Sequence, residues 1–172
     1  LTPVSALVLF ASRYGSTAEV ARLIASALGV RCLPVGEVSP EDLAAATTVV
    51  IGSPIYGRGL LPEMEEFLRQ SGVALRGKRL AAFVVCLDTA EVPGSGEGGA
   101  RNLAKLVTLF PHEPAATAVL GGRLRMAELG EQDRGQIVAF YRRIGREAAD
   151  VDRMSSCAVE RFAQRVRELI GG

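Results

Sequence analysis

Five short, uninterrupted apolar runs alternate with amphipathic helical segments along this chain, and that alternation limits the folds open to it. The runs read as strands near Ala6–Ala11, Arg31–Val35, Thr48–Gly52, Leu80–Leu87 and Ala116–Leu120. They are continuous rather than alternating, so both faces of each strand must be buried, as in a parallel sheet covered by helices on both sides. Helices are predicted near Thr17–Leu28, Pro62–Ser71, Ala100–Phe110, Glu131–Ile144 and Ala158–Ile170. A shorter helical turn starts at Ser39-Pro40-Glu41, where serine caps and proline takes the first helical position. Five β–α alternations in 172 residues point to an open doubly wound sheet, because the eight strands of a barrel cannot be found in this length. With 48% hydrophobic residues, residues 1–172 are expected to bury one core as a single domain.

Ligands of such sheets sit outside the carboxyl ends of the strands, where strand order reverses. The loops after the first, third and fourth strands are therefore the ones to read. Loop one is Ser12-Arg13-Tyr14-Gly15-Ser16-Thr17, between the first apolar run and the first helical pattern. The first turn of a helix carries backbone N–H groups without intrahelical partners, and its dipole favours an anion there. Ser12, Ser16 and Thr17 add hydroxyl donors, Arg13 is the only cation, and Gly15 permits close backbone approach. This is a phosphate-binding candidate; the alternative is a capped strand–helix turn without a ligand.

Loop two, Gly52-Ser53-Pro54-Ile55-Tyr56-Gly57-Arg58-Gly59, joins an aromatic and an apolar residue to several glycines. Ile55 and Tyr56 suit packing against a flat aromatic ligand, and the glycines permit a backbone flip; the alternative is a turn with Tyr56 covering the core edge. Loop three runs from Cys86 through Leu87, Asp88, Thr89 and Glu91 into the glycine-rich patch Gly94–Gly99. Asp88 and Glu91 fit turn-forming and ligand-facing roles equally. Gly94-x-Gly96-x-x-Gly99 spells the dinucleotide fingerprint, but it does not directly follow its strand and has no acidic residue about twenty positions beyond it. A flexible loop over the ligand is the better reading.

Composition removes several classes of function. Twenty basic against nineteen acidic side chains leave no electrostatic footprint for nucleic acid. One histidine, His112, and three scattered cysteines, Cys32, Cys86 and Cys157, offer no metal centre, and His112 in a proline-flanked loop does not suit a Ser-His-Asp hydrolase. The thiols read as incidental groups of a reducing cytosol. No apolar run approaches membrane-spanning length, and the short N-terminal run lacks a basic leader, so a cytoplasmic location without a secretory signal is expected. No residue identifies itself as an acid–base catalyst.

Loops one and two together resemble the flavodoxin-like FMN-binding family. Its phosphate loop reads Ser/Thr-x-Thr-Gly-x-Thr; Ser12, Gly15 and Thr17 match, and Tyr14 stands in place of a threonine. The Gly-Ser-Pro-Ile-Tyr-Gly run is similar to the family's second flavin loop, with Gly57 where a backbone carbonyl faces flavin N5. The resemblance implies a three-layer fold with strand order 2-1-3-4-5 and FMN as cofactor. It assigns cofactor binding to Ser12, Arg13, Tyr14, Gly15, Ser16 and Thr17, then to Pro54, Ile55, Tyr56, Gly57 and Arg58. Leu87, Asp88 and Thr89 complete the set. Arg58 beside the ring would stabilise reduced flavin by its charge; a solvent-facing Arg58 would not.

Within that family the chain is similar to the group that includes menaquinone-dependent protoporphyrinogen oxidase. The similarity rests on Ala118–Arg125, on a helical insert through Asp133, Arg134, Phe140 and Arg143, and on the ending Asp150–Ala163. The resemblance implies an FMN-dependent oxidoreductase or electron carrier, with a quinone or porphyrinogen as partner. Arginines 123, 125, 134, 142, 143 and 146 alternate with apolar residues in the insert. That mix would seat an anionic porphyrin or lie peripherally on the inner face of an anionic membrane; the alternative is an amphipathic helix packed on the sheet edge. A soluble NAD(P)H:quinone reductase and a flavin-free binding or regulatory domain are the competing functions.

Overall fold

The computed structural model describes residues 4–56, 59–87 and 97–172. Its core is a five-stranded parallel sheet of β1 (Val4–Phe10), β2 (Arg31–Pro34), β3 (Ala46–Pro54), β4 (Arg79–Cys86) and β5 (Ala116–Gly121). The order is β2-β1-β3-β4-β5, with every neighbouring pair parallel. Helices α1 (Ser16–Leu28), α2 (Pro40–Ala45), α3 (Pro62–Leu75) and α4 (Glu97–Val107) follow the first four strands. Beyond β5 come β6 (Arg123–Leu124), α5 (Glu131–Arg143), β7 (Val151–Asp152) and α6 (Ser156–Gly171).

The strand runs are uninterrupted because two cores press on them. On one face Val8, Val50, Ala81 and Phe83 meet α1 through Val20, Ala21 and Ile24, and α6 through Val159, Phe162 and Val166. On the other, Leu7, Leu9, Val49, Ile51 and Ala82 meet Leu43 of α2, Met64 and Leu68 of α3, and Leu106 of α4. Fully burying each large aliphatic or aromatic side chain contributes about 1.5–3 kcal/mol, so the sheet is held from both sides. The expected three layers and strand order are therefore present.

The short helix at Ser39 is present as α2. The Asp42 N–H donates to Ser39 Oγ, and the Asp42 carboxylate accepts from the Ser39 N–H, a reciprocal cap. Several boundaries differ from expectation, with α3 running on to Leu75 and α4 ending at Val107. β3 extends to Pro54, because pairing with β4 continues to Pro54↔Val85. Helix α4 begins at Glu97, so the last glycines of the patch open a helix rather than a loop; residues 94–96 lie outside the described residues.

Strand order reverses between the parallel neighbours β1 and β3, which places loops one and two at the crevice outside their carboxyl ends. The Ala11 N–H donates to the Gly52 carbonyl at 3.2 Å and ties the two loop origins together. A small antiparallel pair, Arg123↔Asp152 and Leu124↔Val151, closes the base of the insert. The insert thus leaves and rejoins the domain at one place. Gly121 permits this crossing: a Cβ there would lie 1.7 Å from the Arg153 carbonyl oxygen, a backbone atom with no room to yield.

Gly121→Ala should therefore destabilise the protein by about 1–3 kcal/mol in urea denaturation. Gly36→Ala, with no atom within 4 Å of the added carbon, should stay within about 0.5 kcal/mol of the parent.

Candidate functional site

Loop one turns sharply into α1. Gly15 is the N-cap, in the left-handed region at φ 92°, where other residues are strained. Its N–H donates to Ser12 Oγ at 3.1 Å. No side chain caps α1, so its opening turn is left facing the crevice. Within that turn Thr17 is 1% exposed and its hydroxyl has no hydrogen-bond partner among the described residues. A buried hydroxyl without a partner is costly, and buried polar groups are paired in the great majority of cases. An uncapped helix start, a left-handed glycine and an orphaned hydroxyl together suit a phosphate that accepts hydrogen bonds.

The other polar side chains of loop one point elsewhere. The Tyr14 hydroxyl donates to Asp133 Oδ2 of α5 and accepts from the Gly130 N–H at 3.1 Å. Arg13 Nη1 pairs with the same Asp133 oxygen at 3.1 Å. Ser16 Oγ accepts from the Arg123 N–H at 3.0 Å and donates back to its carbonyl at 3.2 Å. Arg123 itself bridges Glu19 of α1 (2.6 Å) and Asp152 of β7 (2.8 Å). The Tyr14 hydrogen bond, reinforced by Arg13, holds the Asp133 carboxyl below the usual aspartate range.

Loop two joins from the other side. Pro54 is buried at the end of β3, and Ile55 and Tyr56 are half-buried beside the α3 core. The Tyr56 ring meets the Tyr14 ring edge-on at 5.6 Å, and the Arg13 guanidinium lies 5.4 Å from its centroid. Burial pushes the Tyr56 phenol up. Leu87 follows β4 and is partly buried. Gly57, Arg58, Asp88 and Thr89 lie outside the described residues. Between loop one and the insert is a cavity of about 280 Å³, lined by Tyr14, Ser16, Glu19, Tyr56, Arg123 and Arg125 among others.

The structure therefore separates the six predicted residues of loop one. Arg13, Tyr14 and Ser16 engage the insert, whereas Ser12 turns back to accept from the Gly15 N–H and the Thr17 hydroxyl is left without a partner among the described residues. The sequence marks Asp133 only as part of the insert and gives no sign that Asp133 and Gly130 meet Tyr14 or that Glu19 pairs with Arg123. The available signal was the tyrosine in place of threonine, a longer side chain whose hydroxyl reaches beyond the loop.

These features define an open α/β protein with an anion cradle at its topological switch point. A family comparison gives that class a name: the flavodoxin domain family matches residues 7–152, and the chain belongs to it. Its cofactor is FMN, and the cradle fits the FMN phosphate. The fold is similar to that of oxidised flavodoxin 2 from Bacillus cereus, with 20% identity, TM-score 0.63, and 96% of this chain and 99% of that one covered. It is also similar to two-electron reduced flavodoxin from Megasphaera elsdenii, with 15% identity, TM-score 0.58, and 95% and 98% covered. Rubredoxin oxygen:oxidoreductase from Desulfovibrio gigas aligns with 18% identity and TM-score 0.53 over 99% of this chain and 37% of that larger one. No curated protein sequence matches the chain.

Two outcomes follow for this site. Thr17→Val removes an unpaired hydroxyl without changing shape, so the apoprotein should melt at the same temperature or higher. FMN binding should weaken by about 1.5–3 kcal/mol in a titration of apoprotein. The Asp133 carboxyl, depressed in the folded state, contributes stability above the ordinary aspartate range. That stability is lost as pH falls through its folded value. The stability difference between the parent and Asp133→Asn, measured by urea denaturation, should be constant near neutral pH and vanish in strong acid.

Proposed function

We propose that this protein is an FMN-dependent oxidoreductase whose substrate meets the flavin beside the insert, with a porphyrinogen as reductant and a quinone as acceptor. One observation carries the reading: α5 stands beside the cofactor loop and buries none of its residues. A helix that only completed the fold would bury an apolar stripe. Phe140 and Ile144 are instead 47% and 50% exposed. Between Ile137 and Arg146 the sequence carries three arginines and no acid. Among the described residues Arg142, Arg143 and Arg146 form no ion pair.

The insert's arginines have two jobs. Arg123 and Arg134 are structural: Arg123 is doubly ion-paired, and Arg134 donates to the carbonyls of Met126 and Leu129. Arg125 faces Glu128 at 4.0 Å, while Arg142, Arg143 and Arg146, interleaved with Phe140, Tyr141 and Ile144, present apolar area and positive charge together. A tetrapyrrole with carboxylate side chains is complementary to that surface. So is the anionic face of a membrane that holds a lipid quinone; no helix among the described residues is long and apolar enough to cross one.

FMN supplies the electron transfer when bound. The protein's part is placement: Ser12, Gly15 and Thr17 hold the phosphate, Ile55 and Tyr56 supply apolar surface towards the ring, and the insert bounds the cavity beside them. Full oxidation of a porphyrinogen to a porphyrin releases six electrons and six protons, which three quinones take up as three quinols. A simple electron carrier would not need the cationic surface.

Replacing Arg142, Arg143 and Arg146 by glutamine should leave the bound FMN, read near 450 nm, unchanged. It should raise KM for protoporphyrinogen in a menaquinone-coupled assay by about tenfold or more, from loss of charge-assisted contacts. A yellow protein with no porphyrinogen turnover, but with NAD(P)H-driven quinone reduction, would replace this reading with the quinone reductase. A colourless protein that takes up no FMN would leave only a binding domain.

A further inference from the structure

The donors of loop one divide in direction along six residues. Ser12 and Thr17 stay with the anion cradle, while Arg13, Tyr14 and Ser16 reach out and hold the insert at Asp133, Gly130 and the Arg123 backbone. Tyr14 and Ser16 each have one hydroxyl proton, and each donates it to the insert.

We infer that loop one is a two-sided element through which FMN occupancy docks the insert: a phosphate in the cradle fixes the backbone of residues 12–17, and this sets the three side chains that anchor α5. The physical basis is shared ordering. Held by hydrogen bonds from the loop, the phosphate restricts the backbone torsions of residues 13–16, and Arg13, Tyr14 and Ser16 depart from that backbone. The ordering cost of docking the insert is then partly met before its contacts form, which couples the two sites without a change of fold.

The remaining geometry supports this route. Helix α5 has no buried residue to hold it in place by packing. Its first turn is held by Asp133 on Tyr14 and Arg13, and by Gly130 on Tyr14. Its base is closed by the β6–β7 pair and by the Arg153 N–H donating to Gly122 at 2.9 Å. The anchor between base and helix is therefore loop one. Gly122 lies against it, where an added Cβ would be 3.6 Å from Ser16 Cβ. Arg13 touches both Asp133 and the Tyr56 ring, so loop two joins the same assembly.

The consequence is cofactor-gated formation of the cationic surface. Apoprotein holds α5 loosely, and holoprotein holds it in register. This inference rests on FMN binding and not on the identity of the substrate, so failure of the porphyrinogen assay leaves it standing.

Hydrogen–deuterium exchange on the full chain, with and without saturating FMN, tests it. FMN should slow exchange across residues 123–138 by about fivefold or more, and α6 should not change. Riboflavin, which has no phosphate, should protect that segment far less. Tyr14→Phe and Asp133→Asn should each abolish the FMN-dependent protection, weaken FMN only by the matching factor of about fivefold that reciprocal coupling requires, and leave α6 exchange native. Unchanged exchange in 123–138 on adding FMN, or equal protection by riboflavin, would overturn the inference. So would protection that survives both substitutions. An affinity loss in these variants as large as that in Thr17→Val would move Tyr14 and Asp133 into the cradle itself and end the two-sided account.

Discussion

The uncapped start of α1 is the constraint on which the rest of this structure depends. A helix beginning at a left-handed glycine, with no side chain to cap it and with a buried hydroxyl lacking a partner, carries donors that the protein alone leaves open. The parallel sheet delivers this helix start to the crevice between β1 and β3. The two apolar cores on either side make the sheet rigid enough to present it. The fold thus leaves hydrogen-bond donors open where strand order reverses, a place at which an anion would find partners.

The insert is organised around the same place. It closes at its base through β6 and β7, and Arg123 ties that base to α1 through Glu19. It then meets loop one through Tyr14 and Asp133. The salt bridges involved are partly exposed, and individually such pairs contribute little. Their effect is positional: several polar contacts converge on one short loop and orient a helix that burial does not orient. What α5 gives up in packing it keeps as exposed aromatic and cationic surface.

The sheet was legible in the sequence because continuous apolar strands and amphipathic helices have different periods, and each run was long enough to read. The position of loop one was legible because Ser12, Gly15 and Thr17 sit between such elements, and the chain does turn into α1 there. The division of loop one was not legible. It depends on contacts across more than a hundred residues, such as Ser16 with Arg123 and Tyr14 with Asp133, and no local period records them. The arginines of the insert looked alike for the same reason. Only their partners separate Arg123 and Arg134, which hold structure, from Arg142, Arg143 and Arg146, which remain exposed. The two-residue strands of the β6–β7 pair are too short to leave a pattern.

If loop one binds FMN through its phosphate, removing that phosphate removes the partners of the open donors of α1. Calorimetric titration of the apoprotein with FMN and with riboflavin measures that directly, since the two ligands differ only in the phosphate. Two or more charge-assisted hydrogen bonds, at about 1.5–3 kcal/mol each, predict a preference for FMN of roughly a hundredfold or greater. Equal affinity for the two ligands would contradict the account, because the open donors of α1 and the Thr17 hydroxyl would then be contributing nothing to binding.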